Sequence, residues 1–284
     1  MSHARPCSLL LLLLACVGGC ALWKEPPSEP PSLPAAKMAA DSVVLEIAFV
    51  RLSGEALAQQ DELWRQVDEQ PLPAETRRRM VENGLRAGVV SSQLPPLLRT
   101  LLEEKADALA VTGPGIPEDV TASQRQLQSR AGKRGVILAG SQQPKLALLL
   151  QQNGTVTGGE FAQAQCLFAV KTFPQGDGSV RLELVPEIEH GETRQRWIGQ
   201  EGSFRVDSGR EQKVLDHLRM DLRLSPGEVL VVTCTSEQKG LGKHFFGSGD
   251  PGEQKLLMIR IAQTQYDDVF APEKLQAPLA TPTE

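Results

Sequence analysis

The side chains that most often carry catalysis or hold metals are few in this chain and far apart. His190, His217 and His244 are scattered. Neither Cys166 nor Cys234 has a second ligand at the spacing a zinc site needs. Histidines placed like this read as surface or loop polarity. Asp267 and Asp268 form a carboxylate pair, but they follow the last predicted strand, where no pocket is expected to shift a pKa. Gly240–Gly252 (GLGKHFFGSGDPG) has glycines and a lysine without the phosphate-cradling spacing or a strand-to-helix context. A Gly-x-Ser-x-Gly nucleophile elbow is absent. No catalytic, metal or cofactor-binding residue is therefore assigned, and the chain is not expected to be an enzyme. Cys166 and Cys234 each fall inside a predicted strand. A disulfide between them would suit an oxidising compartment, and two small buried hydrophobes is the plainer reading.

Charge narrows the partners. The formal net charge is −5, whereas nonspecific nucleic-acid binding needs clustered Lys and Arg to displace counterions. The one tight basic run, Arg77-Arg78-Arg79, reads as part of a solvated helix face. Nucleic acid is not an expected partner.

The amino terminus points instead to a membrane. Residues 1–19 combine a short basic start (His3, Arg5), an apolar stretch at Leu9–Val17, and small residues at Gly18 and Gly19. Such a stretch is too short to span a bilayer and has the length of a signal-peptide core. Val17-Gly18-Gly19-Cys20 resembles the lipobox of bacterial lipoproteins, whose cysteine is diacylated and becomes the new amino terminus. Leu13-Leu14-Ala15-Cys16 competes with it but leaves a cramped apolar core, so Cys20 is the preferred lipid attachment site. Several acyl chains anchor stably where one does not. The residue after the cysteine is Ala21 rather than Asp, which by analogy with lipoprotein sorting favours the outer over the inner membrane of a bacterial envelope. Residues 20–40 then form a tether, because Pro26, Pro27, Pro30, Pro31 and Pro34 favour extended polyproline-type conformations. At ~3.1 Å per residue it could hold the body up to ~60 Å from the bilayer.

The folded part is expected to be α+β: a small helix-containing unit at 41–110, a Gly/Pro/Thr-rich linker at 111–123, a mostly antiparallel β-rich domain at 124–270, and a disordered tail at 271–284. Ser42–Leu52 is apolar on both faces and reads as an interior strand. Gly54–Glu69 reads as one helix, Ala74–Asn83 as another with Gly84 as its left-handed cap, Leu85–Ser91 as a short strand, and Pro95–Ala108 as the clearest helix. After the linker, helical periodicity nearly vanishes and ten strands are predicted, with turns at Asn153-Gly154, 174–176 and 225–228.

Gly176–Glu192 (GDGSVRLELVPEIEHGE) is the best-specified stretch. Val180, Leu182, Leu184 and Ile188 alternate with Arg181, Glu183, Glu187 and Glu189, which predicts a strand with one face in a core and the other in water.

In order along the chain stand SVVLEIAFVRLS, RQLQSRAGKRGVILAGSQQP, SVRLELVPEIEHGE, LRMDLRLSPGEVLVVTCT, a glycine-containing loop reaching Phe245-Phe246, and EQKLLMIRIAQT. This order resembles the secretin domain of bacterial type II and III secretion and type IV pilus systems. The loop QKGLGKHFFGSGDPG lacks that family's Val-Pro…Leu-Gly-Asp-Ile-Pro signature, and the modular amino-terminal ring domains are missing. The LWR…RRRM…QLP and RQRW…HFF pattern is also similar to that of a family of bacterial envelope lipoproteins, a likeness that implies no activity. The resemblance implies a lipid-anchored envelope protein associated with protein secretion or pilus machinery. A spanning strand needs about nine to eleven residues with apolar side chains facing lipid. Lys145–Gln152 offers Leu146, Leu148 and Leu150, but its return arm meets Gly158-Gly159, and Ala162–Phe173 has no equally long apolar neighbour. The chain is therefore not expected to form a full pore by itself. The alternative is a monomeric envelope-binding or scaffold lipoprotein with no transport role.

Overall fold

Strand Ser42–Ser53 (β1) follows from its composition. Val43, Leu45 and Ile47 face one side, Ala48, Val50 and Leu52 the other, and all six are buried. A strand apolar on both faces belongs inside a sheet, and β1 lies between two neighbours. The computed structural model describes residues 41–102, 122–200, 203–247 and 252–265, with the backbone alone at 122–124, 196–200 and 203–207. The segments 1–19 and 20–40, most of the 111–123 linker, Asp267-Asp268 and the 271–284 tail lie outside the described residues.

The remaining strands are Leu85–Val90 (β2), Ala122–Arg130 (β3), Gly135–Leu138 (β4), Gln143–Gln152 (β5), Thr155–Pro174 (β6), Val180–Gln200 (β7), Ser203–Val214 (β8), Met220–Leu224 (β9), Val229–Cys234 (β10) and Glu253–Gln265 (β11). Helices are short: Gly54–Ala58 (α1), Gln60–Trp64 (α2), Ala74–Glu82 (α3), a helical segment at 96–102, and Gly240–Phe246 (α4). The fold is mostly β, and every strand pairing is antiparallel.

One sheet runs β2-β10-β11-β1-β3. It takes β1 and β2 from before the 111–123 stretch, β3 from its end onward (Ala122), and β10 and β11 from after it, so described residues on both sides share one sheet. One face of this sheet carries Ala48, Val50, Val229, Val231 and Met258 under Leu63, Trp64, Val67 and Leu98. Its other face meets the second sheet through Val43, Leu45, Leu230, Val232 and Leu257, packed with Phe168, Val170, Leu182 and Leu184.

The second sheet is a meander of two long hairpins. β4 and β5 both pair along β6, while β8 and β9 both pair along β7. Asn153 and Gly154 close the first hairpin with φ of 51° and 77°. Two consecutive left-handed residues in a two-residue loop make the turn whose twist suits a hairpin.

Several elements differ from the sequence reading. Gly54–Glu69 forms two short helices with a break at Gln59, whose backbone accepts and donates in a single turn. Ser179–Glu189 and Arg194–Gly199 belong to one strand, β7, which passes Gly191 (φ 74°) through an irregularity in its pairing with β8. The expected loop at the start of Gly240–Gly252 is a helix that buries Phe245 and Phe246. The expected water-facing side of β7 is largely covered: Glu187 is buried and paired with Arg134 at 2.6 Å, and the Glu183 side chain is only 12% exposed between Arg181 and Arg219. Long arginines lying across that face shield the carboxylates.

Candidate functional site

The residues that could have carried chemistry are kept apart by the fold. Cys166 on β6 and Cys234 on β10 are both buried and both free. Burial pushes each thiol up to about 12, which makes them packing groups rather than nucleophiles. His190 packs against Phe161 with ring centroids 4.9 Å apart and the planes tilted by 51°, and approaches Glu211 at 3.9 Å. His217 is held below its ordinary pKa, mainly by burial. Among the described residues no three His, Cys, Asp or Glu side chains gather where they could hold a metal ion. Cys20 lies outside the described residues.

What the second sheet does provide is a fork. β6 and β7 pair from Gln165↔Glu189 to Pro174↔Val180 and no further. Beyond that point β6 pairs only with β5, and β7 only with β8. The parting falls at two left-handed residues, Gln163 (φ 50°) and Gly191 (φ 74°). A left-handed residue in a strand bends it and strengthens its twist, so each arm leaves the common sheet in its own direction.

The first arm, β5–β6, is closed off. Leu146, Leu148 and Leu150 turn into the core beside Leu241 and Phe245 of α4. Along the outer edge of β5, His244 Nε2 lies 3.0 Å from the Ala147 carbonyl. Asn83 takes both backbone groups of Gln151: its Nδ2 donates to the carbonyl at 2.8 Å, and its Oδ1 accepts from the amide at 2.9 Å. An edge strand covered by a helix and by side chains cannot recruit another strand there.

Close glycine packing puts this cover in place. A Cβ on Gly242 would stand 1.8 Å from the Gly84 carbonyl oxygen, and one on Gly84 would stand 1.9 Å from that of Lys239. The Gly84 carbonyl also accepts from Thr235 N at 2.9 Å, and Asn83 O accepts from Gly242 N at 3.1 Å. Helix α4 thus docks on the end of α3 at backbone distance, and only glycine fits.

Among the described residues the second arm, β7–β8, has no such cover. Pairing runs from Glu187↔Val214 to Gln200↔Ser203, with a register shift between His190 and Arg194. Among the described residues no strand joins the outer edge of β8 or the far edge of β7 beyond Glu189. Glu192, Thr193, Arg194, Gln195, Ser208, Gln212 and Lys213 are all exposed. Arg194 meets Glu211 at 3.3 Å, Gln212 meets Glu189 at 3.0 Å, and Arg210 donates to the Gly191 carbonyl at 3.0 Å. The edges of this two-stranded ribbon, unjoined by any strand among the described residues, suit strand addition.

The arginine run of α3 divides its work. Arg78 bridges Glu75 at 2.7 Å and Glu82 at 2.9 Å, with its pKa raised chiefly by the bond to Glu75. Arg79 approaches Glu75 at 3.9 Å. Arg77 turns to a cavity between α2, α3 and β2. The sequence reading missed both the fork and this cavity. Gly191 was a visible signal for the fork; nothing local marks the cavity.

Comparison with protein-family models and with curated proteins found no match to this chain.

Proposed function

We propose that this chain is a lipid-anchored envelope protein whose secretin-like β-domain serves protein secretion or pilus machinery without itself forming a full pore. The observation that carries this reading is the fork: a six-stranded antiparallel sheet that sends out one arm whose edges no strand joins among the described residues, while the other arm's outer edge is covered. An open-edged ribbon is a means of joining another chain by strand addition. A full barrel needs every strand edge paired in lipid, and the outer edge of β5 is taken by Asn83 and α4. Among the described residues no helix is long and apolar enough to cross a membrane; in this reading the anchor is an acyl group on Cys20.

A second reading, a monomeric scaffold lipoprotein with no transport role, is favoured by the same sealed edge of β5. The two are separated by following the full-length protein in membranes. Palmitate labelling should disappear in Cys20→Ser and persist in Cys16→Ser. In-cell cross-linking from the β7–β8 arm should capture a defined component of a secretion or pilus apparatus. Labelling that persists in Cys20→Ser would remove the anchor from the proposal. Cross-linking that yields only the monomer would favour the scaffold, and detergent-resistant rings under the electron microscope would restore a pore.

A further inference from the structure

The cover on the first arm lies over β5 alone. On the other side of that arm, β6 faces the fork from Thr155 to Gln163, and among the described residues it pairs there with β5 only. Thr155 through Glu160 are exposed on both faces of the strand, and so are Ala162 and Gln163. A strand with one neighbour presents a row of unpaired backbone donors and acceptors on its free side.

This edge lacks the features that usually keep an edge from pairing. Between Thr155 and Gly159 there is no charge and no proline. The Glu160 carboxylate is held by Lys145 at 2.9 Å. What the edge carries is apolar surface. Leu149 and Val156, 64% and 60% exposed, are the most exposed large hydrophobic residues among those described. They share one face of the arm, because Leu149 lies opposite Gly158 and Val156 stands two residues before it. A Cβ on Gly158 would be 3.4 Å from Leu149 Cδ2, and one on Gly159 would be 3.2 Å from the Phe161 ring. Large side chains thus lean over two residues that have none. A glycine inside a strand often marks the close approach of another backbone, and an aromatic side chain on the adjoining strand fills the gap it leaves.

We infer that the fork-side edge of β6, over residues 155–162, takes up an extended segment of another protein. That segment has an aromatic residue opposite Gly158 and an apolar one opposite Val156. Backbone hydrogen bonds hold it to β6, the ring covers Gly158 beside Leu149, and the apolar side chain covers Val156. The site is separate from the edges of β7–β8, so this inference is independent of the proposed secretion role.

Hydrogen exchange on the detergent-solubilised full chain tests it. The probe is the palindromic peptide Lys-Val-Thr-Tyr-Thr-Val-Lys, acetylated and amidated at its ends, whose tyrosine and valines share a face. At millimolar peptide, amides of 155–162 should gain protection while those of β8 keep their exchange rates. A copy methylated at every internal backbone nitrogen keeps the side chains, loses the donors and should bind at least about tenfold more weakly. Replacing the tyrosine of the peptide by glycine should also weaken binding. Gly158→Thr, at a position without left-handed backbone, should remove most of that preference. Leu149→Thr and Val156→Thr should each lower affinity by about threefold, with circular dichroism reporting that the fold is kept. Equal binding of the methylated copy, protection of β8 in place of β6, or no protection at millimolar peptide would overturn the inference. Edge amides already protected without peptide would overturn it too: protection that survives dilution would mean that the chain fills its own edge, and protection lost on dilution that a second copy does.

Discussion

Asn83 pairs with Gln151 as a neighbouring strand would, giving its side-chain amide to the carbonyl at 2.8 Å and taking the backbone N–H at 2.9 Å. The same amide group also donates to the Arg79 carbonyl at 2.9 Å, so one buried side chain ends α3 and closes the edge of β5. Asn83→Ala leaves those groups unmet and should cost about 1–3 kcal/mol. Hydrogen exchange provides the sharper check: the Gln151 amide should lose protection more than amides in the centre of β6. Equal loss at both would mean that Asn83 stabilises the fold without closing that edge.

The strand register of β7 predicts a contrast between adjacent positions. Leu184 has no exposed surface and packs in the main core, whereas Glu183 lies between Arg181 and Arg219. Leu184→Ala should cost about 2–5 kcal/mol. Glu183→Ala should cost about 1 kcal/mol, because its partners stay partly solvated. Denaturant midpoints that fall equally in the two variants would contradict the register.

Acidification should weaken the hold of α4 on β5. The His244 pKa is lowered from 6.5, mainly by burial, with the Ala147 carbonyl acting in the opposite direction and Lys243 adding to the fall. A histidine whose folded pKa lies below its unfolded value favours folding while neutral. That stability is fully present above the unfolded pKa and is lost as pH falls through the folded pKa. His217 shifts in the same sense, through burial, Arg79 and Lys213 against Asp216. Stability should therefore be lost as pH falls below the ordinary histidine value of about 6.5 and through the lowered folded-state values, and His244→Gln should flatten part of that slope in urea melts. An unchanged slope would show that His244 does not contribute.

The two body cysteines should resist modification until the protein unfolds. Burial raises both thiols to about 12 and hides them in the core shared by the two sheets, and the thiolate is the reactive form. A thiol reagent should label neither Cys166 nor Cys234 in native protein and both in denaturant. Native labelling of either one would place it outside the core.

Much of this fold is legible in single stretches of sequence. The alternation of Val180, Leu182 and Leu184 places β7, Asn153-Gly154 places the first hairpin turn, and Gly84 (φ 78°) closes α3. Each is a local preference that tertiary packing did not overturn. What escaped depends on distant partners. The glycines of Gly240–Gly247 suggest a loop, yet Gly242 is there for its lack of a side chain beside the Gly84 carbonyl. Glu187 looks solvated until Arg134 is brought across it. The cavity draws Trp64, Arg77, Arg86 and Thr235 from four separate stretches, none of which has a motif.

The pairing of β1 with β11 also sets an order of events. Ser42 lies opposite Gln265 and Ser53 opposite Glu253, so the strand nearest the amino terminus of the folded unit waits for one of the last to be made. Loop closure on that scale is slow, and long-range β pairing leaves strands exposed until it is complete. The meander of β6 and β7 can form from neighbours, but the first sheet stays open until the chain has passed β11. A polypeptide built this way remains unfinished, and threadable, through most of its synthesis.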